Sequence, residues 1–239
     1  MAKALITWGG WDGHEPEQVA GIFDKILKDA GHETVVTDNL DCFDDPNLGD
    51  FDLIVPVWTM SSLPRETGAK VAEVVANGTG IAGCHGGMCD AFRDNVIWQF
   101  MTGANWVAHP GGDGVDYRVN ITSDDPLVEG IEDFDVSTEQ YYLHVDPANT
   151  VLATTRTDLV TWYHSPNGAV DMPLVWTRTW GLGRVYYNAL GHKADVVSSG
   201  PAFELMRRGL LWAIESKAAA KGKDLTPWMA EGNHYESLG

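Results

Sequence analysis

The stretch Gly80-Ile81-Ala82-Gly83-Cys84-His85-Gly86-Gly87-Met88-Cys89-Asp90 constrains the fold more than any other. A short apolar run ends in it, a helix-like run leaves it, and glycines sit where the backbone would turn sharply. This is the pattern of a nucleophile elbow, a strained strand-to-helix turn that lifts one side chain above a sheet. Such a turn packs backbone on backbone, so it needs small residues two places before and after the displayed one. Centred on His85 those places hold Gly83 and Gly87; centred on Cys84 they hold Ala82 and Gly86. The His85 register fits better. An imidazole is then the displayed group, and Cys84 is expected to point elsewhere as a structural cysteine.

The flanking sequence alternates between strand and helix patterns. Ala4 to Trp8 is a short apolar run that empties into Gly9-Gly10-Trp11-Asp12-Gly13-His14. Pro16 suits a first helical turn. Val19, Ile22, Phe23, Ile26, Leu27 and Ala30 follow at helical spacing, and Gly31 is a natural stop. His32 to Thr37 reads as a second strand, completing a βαβ unit and implying a parallel pair. Leu53 to Val57 reads as the third strand, Pro64 to Asn77 as a helix, and Gly80 to Gly83 as the fourth strand. Helical spacing through Phe92, Val96 and Phe100 predicts a helix over Asp90 to Met101.

Beyond Met101 the pattern changes. Gly103 to Gly112 reads as a loop carrying Trp106 and His109, and Asp125 to Ile131 as a turn of helix. Val115–Ile121, Phe134–Val145, Val151–Thr155, Leu159–Tyr163, Leu174–Thr179 and Gly183–Leu190 read as closely spaced strands, and Pro201–Glu215 as the last long helix. The expected fold class is α/β, with a mainly parallel central sheet and an antiparallel extension. Residues 1–216 are expected to form a single α/β domain, with 217–239 a small, polar C-terminal tail.

The balance of 16 Lys+Arg against 34 Asp+Glu gives a formal charge of −18. Such a surface repels phosphate backbones and anionic lipid, so neither nucleic acid nor membrane is an expected partner. Cys42, Cys84 and Cys89 make no Cys-x-x-Cys motif and no disulfide framework. The opening run Met1 to Trp8 reaches glycine before an export-signal core could form. A cytoplasmic location is expected.

In open α/β sheets, ligands bind beyond the carboxyl ends of the parallel strands. The first strand ends at Trp8, Trp11 and His14, the third at Trp58, the fourth at His85, and a late one at Gly191-His192. Histidines and indoles therefore collect on one rim. The segment Ser137 to Asp146 adds Glu139, Tyr142 and His144. Strand alternation puts Glu139, Tyr141 and Leu143 on one face and Gln140, Tyr142 and His144 on the other. Glu139 and His144 can share a site only if a bulge intervenes. A histidine there can act as acid, base or metal ligand. His14, His85, His144 and His192 are the candidate metal ligands, and a divalent metal such as zinc is the candidate cofactor. Sugars present flat C–H faces to aromatic rings. Trp11, Trp58 and Trp106, with Glu139 and His109, would suit a polyhydroxylated ligand; the competing reading is a plain aromatic core, expected to include Trp176 and Trp212.

Four motifs in order carry a resemblance: Gly83-Cys84-His85-Gly86-Gly87-Met88-Cys89-Asp90-Ala91-Phe92-Arg93, Asn105-Trp106-Val107-Ala108-His109-Pro110-Gly111, Ser137-Thr138-Glu139-Gln140-Tyr141-Tyr142-Leu143-His144-Val145-Asp146-Pro147, and Gly181 to His192. Together they resemble the ThuA-like (trehalose-utilisation) family, over about Lys3 to Ile214. The resemblance implies a class I glutamine-amidotransferase-like fold, a flavodoxin-like three-layer sandwich. In true amidotransferases the elbow carries cysteine and a later strand end carries histidine. Here His85 holds the first position and His192 the second, which argues against glutaminase activity. The family is associated with disaccharide utilisation beside a dehydrogenase that makes 3-keto sugars.

The expectation is a sugar-catabolic enzyme acting on a disaccharide or its 3-keto derivative by isomerisation or elimination. His85 and His192 would serve as acid and base and Glu139 would assist, with metal assistance an option. Trp11, His14, Trp58, Trp106, His109, Tyr142 and His144 would contact the ligand. The expected partners are a small sugar, a functionally paired sugar oxidoreductase and further copies of the chain in a homo-oligomer. The alternative is a non-catalytic carbohydrate- or partner-binding protein with a degenerate amidotransferase site. A third reading is a Cys84-dependent amidase or protease.

Overall fold

A computed structural model describes residues 1–157 and 165–225. Strand β1 (Lys3–Gly10) leads through a short 3-10 turn into helix α1 (Pro16–Asp29), which returns the chain to β2 (Glu33–Thr37). Helix α2 (Arg65–Ala76) likewise joins β3 (Leu53–Thr59) to β4 (Gly80–Cys84). After β4 come α3 (His85–Cys89) and α4 (Val96–Thr102), then β5 (Ala104–Ala108), β6 (Val115–Ile121), β7 (Phe134–Thr138), β8 (Tyr142–Val145) and β9 (Thr150–Arg156). Strands β10 (Asp171–Trp180) and β11 (Gly183–Asn188) and helices α5 (Gly200–Ile214) and α6 (Ser216–Ala220) complete the described chain.

Nine strands make one sheet in the order β2-β1-β3-β4-β11-β10-β9-β6-β7, and β5 pairs with β8 in a separate ribbon. The five strands from β2 to β11 are parallel; from β11 outward every pairing is antiparallel. The antiparallel extension is thus the same sheet continued. Side-chain alternation along β11 shows the three layers. On one face Arg184 donates to the Trp212 carbonyl (2.8 Å) and Tyr186 to the Leu205 carbonyl (2.7 Å), both on α5. On the other, Gly183 lies directly against Val75 of α2. The α1 and α5 helices pack together, as do α2 and α4. This is a flavodoxin-like α/β sandwich, as expected. Among the described residues, no helix is long and apolar enough to cross a membrane.

Several expectations need correction. The helix expected over Asp90 to Met101 begins only at Val96, because the Asn95 side chain caps it by accepting from Trp98 N (3.0 Å). Its buried face is Trp98, Met101 and Thr102, leaving Val96 and Phe100 exposed. The expected loop over 103–112 contains β5. Asp125 to Ile131 forms hydrogen-bonded turns and no helix. The single strand expected over Phe134–Val145 is two strands in two different sheets, with Glu139, Gln140 and Tyr141 in the break. The strand expected over 159–163 and most of the tail, from residue 226 on, lie outside the described residues. Helix α6 occupies the start of that tail.

The elbow is built as its glycines require. His85 follows β4 with φ 46°, in the left-handed region that a residue with a side chain enters only at a cost. A Cβ on Gly87 would lie 2.9 Å from Val57 Cα, and one on Gly83 2.9 Å from Met88 Cβ. Gly87→Ala is expected to destabilise the chain by about 1–3 kcal/mol through this overpacking. The measurement is the urea midpoint compared with that of Gly21→Ala, where an added methyl meets open space.

Candidate active site

Three strand ends of the parallel region deliver one imidazole each to a common point. Trp11 N donates to the Thr59 carbonyl at 3.1 Å, tying the chain after β1 to the end of β3. The 3-10 turn Asp12–His14 then turns His14 inward. The elbow supplies His85. The segment after β11 supplies His192, beyond a Gly191 whose added Cβ would sit 2.7 Å from Cys84 Sγ. Glu139 arrives from the opposite direction, in the break between β7 and β8. Three bonds fix that break: Tyr117 Oη donates to the Glu139 carbonyl (3.0 Å), and Gln140 Nε2 donates to Thr155 Oγ1 (2.8 Å) and to the Arg156 carbonyl (3.0 Å).

All four side chains are buried, and one oxygen, Glu139 Oε2, is their centre. It lies 3.0 Å from His85 Nε2, 3.2 Å from His192 Nδ1 and 3.9 Å from His14 Nε2. One ligand-capable atom from each of the four residues lies within 4.8 Å of all the others. The outer ring nitrogens are held from behind. His85 Nδ1 donates to the Ala189 carbonyl (2.8 Å), His14 Nδ1 shares a hydrogen bond with Thr59 Oγ1 (2.8 Å), and His192 Nε2 faces Asp113 Oδ1 at 3.5 Å. Tyr141 stacks on His85 with ring centroids 3.8 Å apart. His109 Nδ1 stands 4.0 Å from the other carboxylate oxygen, Glu139 Oε1, and is the least buried imidazole facing Glu139.

Burial works against the charge on Glu139, but the close ring of His14, His192 and His85 overcomes it and holds the carboxyl far below the usual carboxylate range. Burial also pushes the His85 imidazole down, against its bond to Glu139. The centre is therefore an ionised carboxylate ringed by imidazoles of which the deepest resists protonation. Such groups can move protons, or hold a cation through nitrogen and oxygen donors.

Of the expected ligand contacts, His14 lies in the cluster itself, and Trp11, Trp106 and His109 border it. Trp11, nearly half exposed, meets His14 edge-on at 4.8 Å and lies 6.4 Å from His192. Trp106 sits between the Arg93 guanidinium, 4.0 Å over its ring, and His109 at 5.6 Å. Trp58 instead lies against Gly9, with Nε1 donating to Ser61 Oγ (2.6 Å). The metal candidate His144 is corrected: it is exposed on β8 opposite Asn105, outside the cluster, because the break after Thr138 resets the strand phase. Tyr142 accepts a hydrogen bond from Asn167 (2.9 Å) and lines the same surface hollow as His144 and Met172.

Sequence reasoning missed Thr59, Asp113 and Tyr141 at this site. For Tyr141 the signal was present, since alternation already put it on the face of Glu139. Asp113 lies in the glycine-rich run Gly111-Gly112-Asp113-Gly114, which shows no periodicity. Trp176 is fully buried, as expected of a core residue, whereas Trp212 is half-buried beneath Arg184.

A family model described as "Trehalose utilisation" (ThuA) matches residues 3–213. No curated protein matches the chain. Solved structures similar to it include a ThuA-like protein from Parabacteroides merdae, with 21% identity, TM-score 0.67 and coverage of 90% of this chain and 91% of that one. A ThuA-like protein from Bacteroides uniformis has 18% identity, TM-score 0.68 and coverage of 90% and 92%. A β-galactosidase from Bacillus circulans has 12% identity and TM-score 0.59, matching 91% of this chain but only 31% of its own length. At these identities the likeness is one of fold.

Cys84 and Cys89 are buried, and desolvation pushes the Cys84 thiol up to about 12. Neither is expected to react with iodoacetamide in the native protein at pH 8, while both react in denaturant; peptide mass spectrometry reads the difference. Rapid native labelling of Cys84 would restore a cysteine nucleophile to the site.

Proposed function

The chain belongs to the ThuA, or trehalose utilisation, family, and from that premise we propose that it is a sugar-catabolic enzyme acting on a disaccharide or its 3-keto derivative. The observation that carries the reading is the convergence of three buried imidazoles, from three strand ends, on the one carboxylate of Glu139.

In a 3-keto glycoside the hydrogen between the ketone and the anomeric carbon is acidic, because its carbanion delocalises onto the ketone oxygen. A base removes that proton. The electron pair then forms a double bond to the anomeric carbon as the glycosidic C–O bond breaks, and an acid protonates the departing oxygen. Isomerisation shares the first step, then returns the proton to the former ketone carbon while the neighbouring hydroxyl gives its proton to the former ketone oxygen and becomes the new ketone. Both need groups that exchange protons near neutral pH, and imidazole is the side chain suited to this. The proton transfers are assigned to the imidazoles around Glu139, namely His85, His192 and, nearest the surface, His109. The exposed indole of Trp11 supplies a flat face for the sugar ring. An oxidoreductase that installs the ketone is the functional partner this chemistry requires.

The test is purified protein with 3-keto-trehalose, followed by proton NMR in deuterated buffer. Deuterium is expected to enter beside the ketone and substrate signals to fall. Glu139→Gln is expected to slow both by about 10²–10⁴-fold. Substrate left unchanged and unexchanged from pH 5 to 9, with and without divalent metals, overturns the proposal. Saturable sugar binding without exchange would instead support the carbohydrate-binding alternative.

A further inference from the structure

The hydrogen-bond directions within the cluster do not close on themselves. A carbonyl oxygen only accepts, so the bond at 2.8 Å to Ala189 fixes the His85 proton on Nδ1. In the neutral ring, Nε2 then carries a lone pair, and it faces Glu139 Oε2 at 3.0 Å. His192 repeats the arrangement with the ring reversed. Its Nε2 faces the Asp113 carboxylate, also acceptor-only, at 3.5 Å, and its Nδ1 faces the same Glu139 oxygen at 3.2 Å while making no hydrogen bond. His14 adds a third inward nitrogen at 3.9 Å, and its hydroxyl partner Thr59 Oγ1 can accept as well as donate. Two lone pairs therefore aim at one carboxylate oxygen in a buried site. Acceptors packed this closely are stabilised by a cation among them.

We propose that His14 Nε2, His85 Nε2, His192 Nδ1 and Glu139 form a binding site for a divalent first-row transition metal, with zinc the best match. Three imidazole nitrogens and one carboxylate are donors typical of zinc. Metal bonds of about 2.0–2.2 Å hold neighbouring donors roughly 3–3.5 Å apart, close to the separations around Glu139 Oε2. Metal-bound histidines also fix their other nitrogen on a carbonyl, hydroxyl or carboxylate. Ala189, Thr59 and Asp113 stand in those places. Asp113 is thus a positioning residue for His192.

The inference deepens the proposed function by naming what the cluster holds, although the site itself rests on its donor atoms and not on the sugar. Bound there, a divalent metal supplies electrophilic stabilisation of an enolate oxygen. In the metal-loaded protein His14, His85 and His192 serve as ligands, which replaces the proton-transfer role of His85 and His192, and His109, outside the set, carries the proton.

The test is the full-length protein stripped with a chelator and titrated calorimetrically with Zn²⁺, Co²⁺ and Mn²⁺ in turn. One zinc per chain is expected, with a raised Tm and, for Co²⁺, new visible absorption. His85→Ala and His192→Ala should each weaken zinc binding at least 100-fold, and Asp113→Ala by about 10–100-fold. His32→Ala, beside the N-terminal strand, should leave binding unchanged. His14→Ala replaces any variant that circular dichroism shows to be unfolded. No binding of any of the three metals overturns the proposal, as does zinc binding that all three histidine variants leave unaltered. Zinc binding by a protein that leaves the keto sugar untouched overturns the proposed reaction and leaves the metal site standing. Turnover by demonstrably metal-free protein that also binds none of the three metals does the reverse.

Discussion

The site depends on how closely two pieces of backbone approach at the elbow. Gly83 and Gly87 allow the turn after β4 to press against Pro56 and Val57 of β3, and Gly86 allows it to meet the His14 ring and Thr59 Oγ1. A side chain at any of the three would hold the elbow off β3. That contact makes the left-handed backbone of His85 tolerable and keeps it in register with the ends of β1 and β3. It also faces Cys84 toward Gly191. Cys84 is thus a packing group, and an imidazole takes the display position.

The second dependence is on burying one negative charge. An unpaired buried carboxylate costs several kcal/mol, so its neighbours must compensate. Here its neighbours are imidazoles drawn from elements far apart in the chain, and the proposed cation among them compensates the charge. The outer nitrogens of His85 and His14 are tied to Ala189 and Thr59, and that of His192 faces Asp113. Tyr141 covers His85, and Tyr187 donates to the His85 carbonyl at 3.1 Å. Among the described residues, the accessible groups at its rim include Trp11, His109 and Asp113.

The two halves of the sheet divide the work. The parallel half presents strand ends, because βαβ crossovers bring every carboxyl end to one rim. The antiparallel half cannot do this. It contributes Glu139 instead through an interruption, where the chain leaves the large sheet after Thr138 and joins the ribbon with β5 at Tyr142. A regular strand would have carried the carboxylate past the site.

Much of this was legible in the residues themselves. Apolar runs and their glycine stops marked β1 to β4 and the first two helices to within two or three residues. The Gly-x-His-x-Gly spacing identified the displayed residue, since steric demand at a tight turn is local. Parallel topology then placed His14, His85 and His192 on one rim. What the sequence could not decide was anything that depends on phase across a break. Period-two alternation holds only along an unbroken strand, so it separated Glu139 from His144 for an incomplete reason and passed over Tyr141 for its neighbour Tyr142. Helical spacing likewise put Val96 and Phe100 inward, because only the Asn95 cap fixes where α4 begins and which side it buries. The composition and order of the rim were determined by the chain alone. The placing of Glu139 at the centre of the three imidazoles, and the acceptors behind each imidazole, were decided by tertiary structure, because contacts between residues roughly 45 to 125 positions apart leave no periodic trace in the sequence.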